Sequence, residues 1–113
     1  MSVREFTVTI SPAAATDVIE SYVIRGNISG TLVDRYVRQL GEQEVHVIVL
    51  EKYYMRSSNR ASLTVTTDNF GGQTKVHAVA SGSSEGVFMR FDWGAGKDFA
   101  NSVESALGSY IVW

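Results

Sequence analysis

The residues that most constrain the fold lie between Val45 and Asp68, where two β-rich runs flank a polar break. The first run reads VHVIVLEKYYM, the second reads ASLTVTTD, and the break between them reads RSSNR. Serine and asparagine clusters between runs of β-branched and aromatic residues are typical of hairpin turns. We therefore predict an antiparallel hairpin here, and the rest of the chain has to be arranged around it.

The two strands of this hairpin differ in how their apolar residues alternate. In the second run Ala61, Leu63 and Val65 share one side, which predicts a strand with one buried face. The first run is apolar on both sides along its middle. Its two sides carry His46, Ile48 and Leu50, and Val45, Val47 and Val49 respectively. This pattern predicts a strand covered on both faces, or covered on its second face along only part of its length.

The chain before the hairpin predicts a strand followed by a helix. Phe6, Val8 and Ile10 alternate with polar residues, as in a strand with one buried face. Ser11 is suited to cap a helix N-terminus, and Pro12 fits the first helical position because its missing N–H would have no partner there. The helix is expected to end near Gly26.

The apolar residues of segment 28–40 fit the spacing of a strand and also that of a helix. We predict a strand, because the segment is rich in β-branched and aromatic residues and the short link from Gly41 to Glu44 suits a hairpin into the next run. The alternative is a helix that ends at Gly41. Its apolar stripe would consist of Leu32, Val33, Tyr36, Val37 and Leu40.

Two more strands and a second helix are predicted after the hairpin. Alternation predicts strands from Val76 to Ser81 and from Val87 to Trp93. A helical stripe then begins after Asp98 and runs through Tyr110 towards the C-terminus. The order β-α-β-β-β-β-β-α predicts an α+β fold, with an antiparallel sheet of five to six strands and two helices on one face. We expect a single domain over residues 1–113.

Composition excludes several classes of function. Ten basic and twelve acidic side chains give a net charge of −2, so no bulk charge favours nucleic acid or an anionic membrane. The chain has no cysteine, which excludes disulfide and thiolate chemistry. No apolar run has the length of an export signal or a membrane span. We expect a cytoplasmic protein.

No motif predicts catalysis, and we predict no catalytic residue, no metal site and no cofactor. The GAGK string at Gly94 to Lys97 lacks the glycine spacing and the hydroxyl residue of a phosphate-binding loop. His46 and His77 are too few ligands to close a zinc site, and the chain has no cysteine to complete one. Glu51 and Asp92 could supply carboxylates, but their spacing selects no metal. Both histidines are predicted to be partly exposed residues of the sheet.

Aromatic and charged residues near the hairpin turn and in the last predicted strand give a candidate ligand-binding site. Tyrosines, arginines and tryptophan at one end of a sheet can hold a partly apolar ligand with a polar group. The predicted site residues are Tyr53, Tyr54, Arg56, Arg90, Asp92, Trp93 and Lys97. The alternative is that Glu51, Lys52, Arg56 and Arg60 form ordinary cross-strand ion pairs.

Three strings resemble a known family. They are GTLVDRY (Gly30 to Tyr36), EKYYMRSSNRASLTVT (Glu51 to Thr66) and FDWGAGKDF (Phe91 to Phe99). The chain resembles a family of small, single-domain bacterial proteins classed as a domain of unknown function, and this resemblance implies no activity and no site residues. The element order also resembles a reduced helix-grip fold, in which a curved antiparallel sheet wraps a C-terminal helix. Ligand-binding families of that kind carry an apolar cavity between sheet and helix.

These observations lead to two main hypotheses and one weaker one. The first is a non-enzymatic small-molecule-binding module with an apolar pocket between the sheet and the C-terminal helix. The second is a self-associating interaction or structural protein, suggested by the two-sided apolar run at Val45 to Met55 and by the apolar terminus Tyr110 to Trp113. The weaker one is an enzyme using the same pocket. The expected partner is an apolar small molecule or a second copy in a homodimer, and neither nucleic acid nor a membrane.

Overall fold

The computed structural model describes residues 2–25, 30–54, 59–83 and 99–113 and has the predicted α+β architecture. Its strands are β1 (Ser2–Val8), β2 (Thr31–Leu40), β3 (Gln43–Tyr54), β4 (Asn59–Asp68), β5 (Thr74–Ser83) and β6 (Ile111–Val112). Its helices are α1 (Pro12–Arg25) and α2, to which residues 99–106 belong. Within these described ranges no helix has both the length and the apolar character needed to cross a membrane.

The strands form one antiparallel sheet in the order β2-β3-β4-β5-β1-β6. The strands β2 to β5 follow one another as a meander, as predicted. The first strand, β1, pairs with the far side of β5, and the two-residue strand β6 pairs with β1. Among the described residues, β2 is therefore one edge of the sheet, and the other edge consists of β6 and the part of β1 that β6 does not cover. The strand predicted from Val87 to Trp93 lies outside the described residues.

The segment whose apolar residues fit both a strand and a helix is a strand over Thr31–Leu40. In β2, residues Asp34 to Leu40 pair in regular register with β3, and the two strands are joined at Gly41, whose φ of 61° lies in the region that favours glycine. The register shifts between Leu32 and Asp34, which marks a β-bulge. The bulge leaves a regular ladder from Asp34 onwards.

The predicted start of α1 is confirmed at atomic level. The hydroxyl of Ser11 accepts a hydrogen bond of 3.1 Å from the backbone N–H of Ala14, so one of the unpaired donors at the helix end is satisfied. Pro12 follows as the first helical residue. The buried side of the helix carries Ala15, Ile19 and Val23. Apolar spacing and capping together therefore fix which face of α1 meets the sheet.

The core lies on one side of the sheet, between the strands and both helices. Ile48, Leu50, Leu63 and Val65 are completely buried there, each contributing roughly 1.5–3 kcal/mol relative to an exposed side chain. From α2, Phe99, Ala100, Val103 and Leu107 join the same apolar cluster. Arg4 of β1 donates a 2.8 Å hydrogen bond to Asn101 of α2 on this side. The prediction that both helices share one face is confirmed.

The C-terminus differs from the predicted helix. The helical residues end at 106, Gly108–Tyr110 form a 3₁₀ turn, and Ile111–Val112 form β6. Ile111 pairs with Val8 and buries its side chain in the core, while Val112 pairs with Thr7. A helix continued through these residues would leave that part of the β1 edge without hydrogen-bond partners. The helix therefore ends earlier than its apolar stripe predicts, because the last residues of the chain pair with β1.

Candidate interaction surface

The second face of the sheet carries no described helix. Its centre consists of Val45, Val47 and Val49 on β3, which are half-buried. Opposite them on β4 lie Asp68, Thr66 and Thr64. The strand β3 is therefore apolar on both sides, but the described residues cover only one of them. We call the second face of the sheet the uncovered face.

Ion pairs occupy the β1 and β5 part of the uncovered face. His77 Nδ1 lies 2.7 Å from Glu5 Oε2, and Lys75 Nζ lies 3.9 Å from Glu5 Oε1. These side chains are all about half exposed on a flat surface, where such pairs contribute roughly 0.2–1 kcal/mol each. No group of three or more His, Asp or Glu side chains that could hold a metal ion occurs in the described ranges.

The edge strand β2 is the most exposed element of the sheet. Nine of its ten residues are exposed, and Arg35 is half-buried. Its large apolar residues are exposed on both faces, and Leu40 reaches 80%. They are Leu32, Val33, Tyr36, Val37 and Leu40. An edge strand also presents unpaired backbone N–H and C=O groups, so this strand has both the apolar surface and the hydrogen-bonding groups to accept another strand.

One charge of β2 is used inside the fold. Arg35 faces α1, where its guanidinium donates hydrogen bonds of 2.8 Å to Glu20 and 2.7 Å to Asp17. Partial burial lowers the pKa of Arg35, but the hydrogen bonds and charges of Glu20 and Asp17 outweigh it and raise the pKa above its ordinary value. Arg35 therefore ties the edge strand to the helix and stays charged.

The other two charges of β2 have no such partner. Asp34 and Arg38 lie on the uncovered face, opposite Val49 and Val45 of β3. Asp34 makes no hydrogen bond or ion pair with another described residue. Arg38 places its guanidinium 5.1 Å from the centre of the Tyr36 ring and donates to the carbonyl of Val37 at 3.0 Å. One carboxylate and one guanidinium on the same face of an edge strand are thus left without an opposite charge in the described part of the chain.

Part of the predicted pocket region is tightly packed. Ile48, Leu50, Leu63 and Val65, which line the helix side of the sheet, have no exposed surface at all, so no water-sized space adjoins them. Two open depressions lie elsewhere. One follows α1 from Asp17 to Arg25, and the other lies where the ends of β1 and β5 meet the start of α1. Neither depression is lined by Tyr53, the predicted ligand residue whose side chain the structure describes.

A family model matches residues 1–111 of this chain. The chain belongs to DUF6054, a family of unknown function. This agrees with the resemblance carried by the sequence strings. No curated protein and no solved structure gave a significant match. Membership in DUF6054 therefore brings no activity, and the function has to be argued from the surface of the molecule.

Most of the ligand site predicted for this DUF6054 chain lies outside the described residues. The parts of the predicted site that fall outside are Arg56, Arg90, Asp92, Trp93 and Lys97, together with the side chain of Tyr54. Tyr53 is 51% exposed, pairs with Arg60 across β3 and β4, and belongs to the uncovered face. Arg60 forms a 3.7 Å ion pair with Glu51, as the cross-strand alternative predicted. The ligand site as a whole stays a prediction.

The two histidines have different surroundings. His77 is partly exposed, as predicted. The prediction is wrong for His46, which is 6% exposed because its side chain points to the helix side of the sheet. Its position in the alternation with Ile48 and Leu50 already placed it on that side. Its Nε2 lies 3.1 Å from Glu44 Oε1, and its Nδ1 is buried without a hydrogen-bond partner.

Sequence reasoning missed the residues that distinguish β2. No sequence motif marks Asp34, Tyr36 and Arg38 as site residues. Their signal was the period-2 alternation, which places the three on one side of a strand. What the sequence did not reveal is that β2 is an edge and that the two charges have no partner within the described chain.

Proposed function

We propose that this DUF6054 protein works as a self-associating interaction protein, whose contact surface is the β2 edge and the adjoining part of the uncovered face. The observation that carries the proposal is the exposure of five large apolar side chains along a single edge strand. Monomeric proteins seldom expose several large apolar side chains along one strand, and open edges of this length are normally paired or protected.

The apolar surface extends from the edge onto the sheet. Tyr36 lies beside Val47, and the flanking positions of β2 lie beside Val45 and Val49. A partner strand that pairs with β2 would therefore also approach this row of valines. The contact would combine backbone hydrogen bonds with apolar burial, which is the usual combination in strand addition.

The strand β2 has few of the features that keep natural edge strands from pairing with another strand. Bulges and inward-pointing charges commonly prevent edge pairing. In β2 the bulge lies near the start, between Leu32 and Asp34, and Arg35 is held by α1. The regular segment that follows the bulge has no proline and no glycine before Gly41. It is therefore able to accept a strand.

Mass measurement across a concentration series tests the proposal. Light scattering and native mass spectrometry of the full chain from about 1 to about 100 μM should show a dimer or larger species at the upper end. Val37→Lys should shift the protein to the monomer, since Val37 is 41% exposed on β2. Val112→Lys is the matched control, because Val112 is 44% exposed on the opposite edge. A wild-type protein that stays monomeric at about 100 μM would refute self-association.

A second candidate is the small-molecule-binding module predicted from the sequence, with its apolar pocket between sheet and C-terminal helix. Its support is the aromatic-rich last third of the chain. Tyr53, which is exposed beside Arg60, lies on the uncovered face and therefore outside that pocket. The same native mass spectra would reveal it as a discrete added mass on the freshly purified protein. Loss of that mass in a Tyr53→Ala variant would instead place the ligand on the uncovered face and overturn the pocket between sheet and helix. We expect either activity in the cytoplasm.

A further inference from the structure

We infer that two copies of the chain pair β2 with β2 in antiparallel orientation, about a two-fold axis that passes through Tyr36. Each Asp34 then faces Arg38 of the other copy. This inference rests on the proposed self-association and adds to it the contacting strand, its register and its ion pairs.

Among the described residues, the charges of Asp34 and Arg38 would meet an opposite charge only when two copies of β2 pair. Asp34 and Arg38 are four residues apart, which is about 14 Å along a strand, so they cannot reach each other within one chain. Both lie on the uncovered face, on either side of Tyr36. When an antiparallel copy places Tyr36 opposite Tyr36, position 34 comes opposite position 38. Each unpartnered carboxylate then meets an unpartnered guanidinium, twice in the dimer.

Neighbouring registers do not give this match. An axis through Asp34 places the two Asp34 carboxylates opposite each other, and an axis through Arg38 does the same with the two guanidinium groups. An axis through Arg35 sets two Arg35 side chains opposite each other. Directly opposed like charges destabilise a strand pair. An axis through Val37 leaves Asp34 opposite the apolar Leu40. Of these five registers, the axis through Tyr36 alone pairs both charges.

The remaining contacts fit the same register. Arg35 comes opposite Val37 on the helix side, and Arg35 keeps its own partners Asp17 and Glu20 there. The pairing therefore leaves no arginine of β2 buried without an opposite charge. On the uncovered face the two Tyr36 rings meet at the axis, each already beside an Arg38 guanidinium. A two-fold contact of this kind is closed, so it gives a dimer and not a fibre.

Charge reversal tests the register. Asp34→Arg or Arg38→Asp alone would place like charges at both ion-pair positions, and we expect each to weaken the dimer at least about tenfold. The double variant Asp34→Arg/Arg38→Asp has the composition of the wild type with both pairs reversed. It should regain an affinity within about threefold of the wild type, whereas a double variant as weak as the singles would overturn the register. Circular dichroism confirms that each variant is folded.

Cysteine cross-linking gives an independent test, because the natural chain has no cysteine. Residues directly opposite in an antiparallel pair have Cα atoms about 4.5–5.5 Å apart, which is within the range that a disulfide bridges. Tyr36→Cys should therefore form a disulfide-linked dimer on mild oxidation. Gln39→Cys is the control, since the two copies of residue 39 would lie about 20 Å apart.

The outcomes separate this inference from the proposed function. A monomeric wild type at about 100 μM refutes both. A dimer in which Tyr36→Cys fails to cross-link, or in which Gln39→Cys cross-links faster, refutes the Tyr36 axis and leaves self-association through another surface. For Asp34→Cys mixed with Arg38→Cys, the expected product is the mixed disulfide. Cross-linking of either variant only with itself would overturn the register.

Discussion

His46 carries the one buried side-chain nitrogen or oxygen atom that has no hydrogen-bond partner in the described part of the chain. Its ring packs on the helix side of β3, between the apolar core and Glu44. A buried polar atom without a partner costs about 1–3 kcal/mol of stability. We therefore expect His46→Leu to raise the free energy of unfolding by about 1 kcal/mol, even though it removes the contact with Glu44. Urea denaturation measures the change.

His77 provides the matched control for that substitution. It is a second histidine in the same sheet, but it is partly exposed and paired with Glu5. His77→Leu should lower stability by at most about 1 kcal/mol, the range for an exposed ion pair. If His46→Leu destabilised the protein by more than its His77 counterpart, the imidazole of His46 would have a stabilising role that its contacts do not reveal.

At the scale of elements, α1 and β4 are joined through a single carbonyl group. The hydroxyls of Thr16 and Thr67 donate to the carbonyl oxygen of Pro12 at 2.8 Å and 3.1 Å, and the two hydroxyl oxygens lie 2.9 Å apart. Both threonines are completely buried. The start of the helix is thereby fixed over the strand by hydrogen bonds as well as by apolar packing.

This junction predicts different effects for two adjacent threonines. Thr67→Val keeps the shape of the side chain but removes its hydrogen bonds, so we expect a loss of about 1 kcal/mol in unfolding free energy. Thr66→Val changes the neighbouring residue on the uncovered face and should alter stability by less than about 0.5 kcal/mol. If thermal or urea unfolding showed equal changes in stability for the two variants, the hydrogen bond from Thr67 to Pro12 would make no specific contribution to stability.

The elements that the sequence predicted are those whose local signals agree. In β4 the alternation of Ala61, Leu63 and Val65 identifies the buried side, and the Ser11 and Pro12 pair identifies the helix start. In contrast, β6 depends on pairing with Val8 and Thr7, which lie about a hundred residues away in sequence, so no local pattern reports it. A short strand of this kind is decided by tertiary contacts, which override propensity.

The candidate surface was predictable only in part, for the same reason. Alternation places Asp34, Tyr36 and Arg38 on one side of a strand. Whether their charges are used depends on what lies beside β2 in space. Arg35 finds Asp17 and Glu20 because α1 crosses that side of the sheet. Alternation separates Arg35 from Arg38, but it does not say which side of β2 faces the helix. Strand order and helix placement therefore decide which arginine is available to pair with a charge on another molecule.

At the scale of the whole molecule, the sheet has two unequal edges. On the C-terminal side the two-residue strand β6 covers only Thr7 and Val8 of β1, and Trp113 beyond it is 91% exposed. The β2 edge is ten residues long and carries apolar side chains on both faces. Both edges carry exposed apolar residues, but β2 is the one that forms a ten-residue edge strand in the described sheet. Pairing through β2 would extend the sheet across two copies and leave the C-terminal edge free.

Hydrogen exchange distinguishes the two edges in a single experiment. Alternate residues of an edge strand point their N–H groups away from the sheet, so pairing should slow exchange at about half of the amides of β2. We expect peptides from residues 31–40 to become more protected as protein concentration rises from about 1 to about 100 μM, while residues 111–113 keep the same rate. Concentration-dependent protection of residues 111–113 alone would place the contact at the apolar terminus. Because both edges are read from the same sample, a general change in stability would slow exchange at both edges together and could not imitate protection confined to β2.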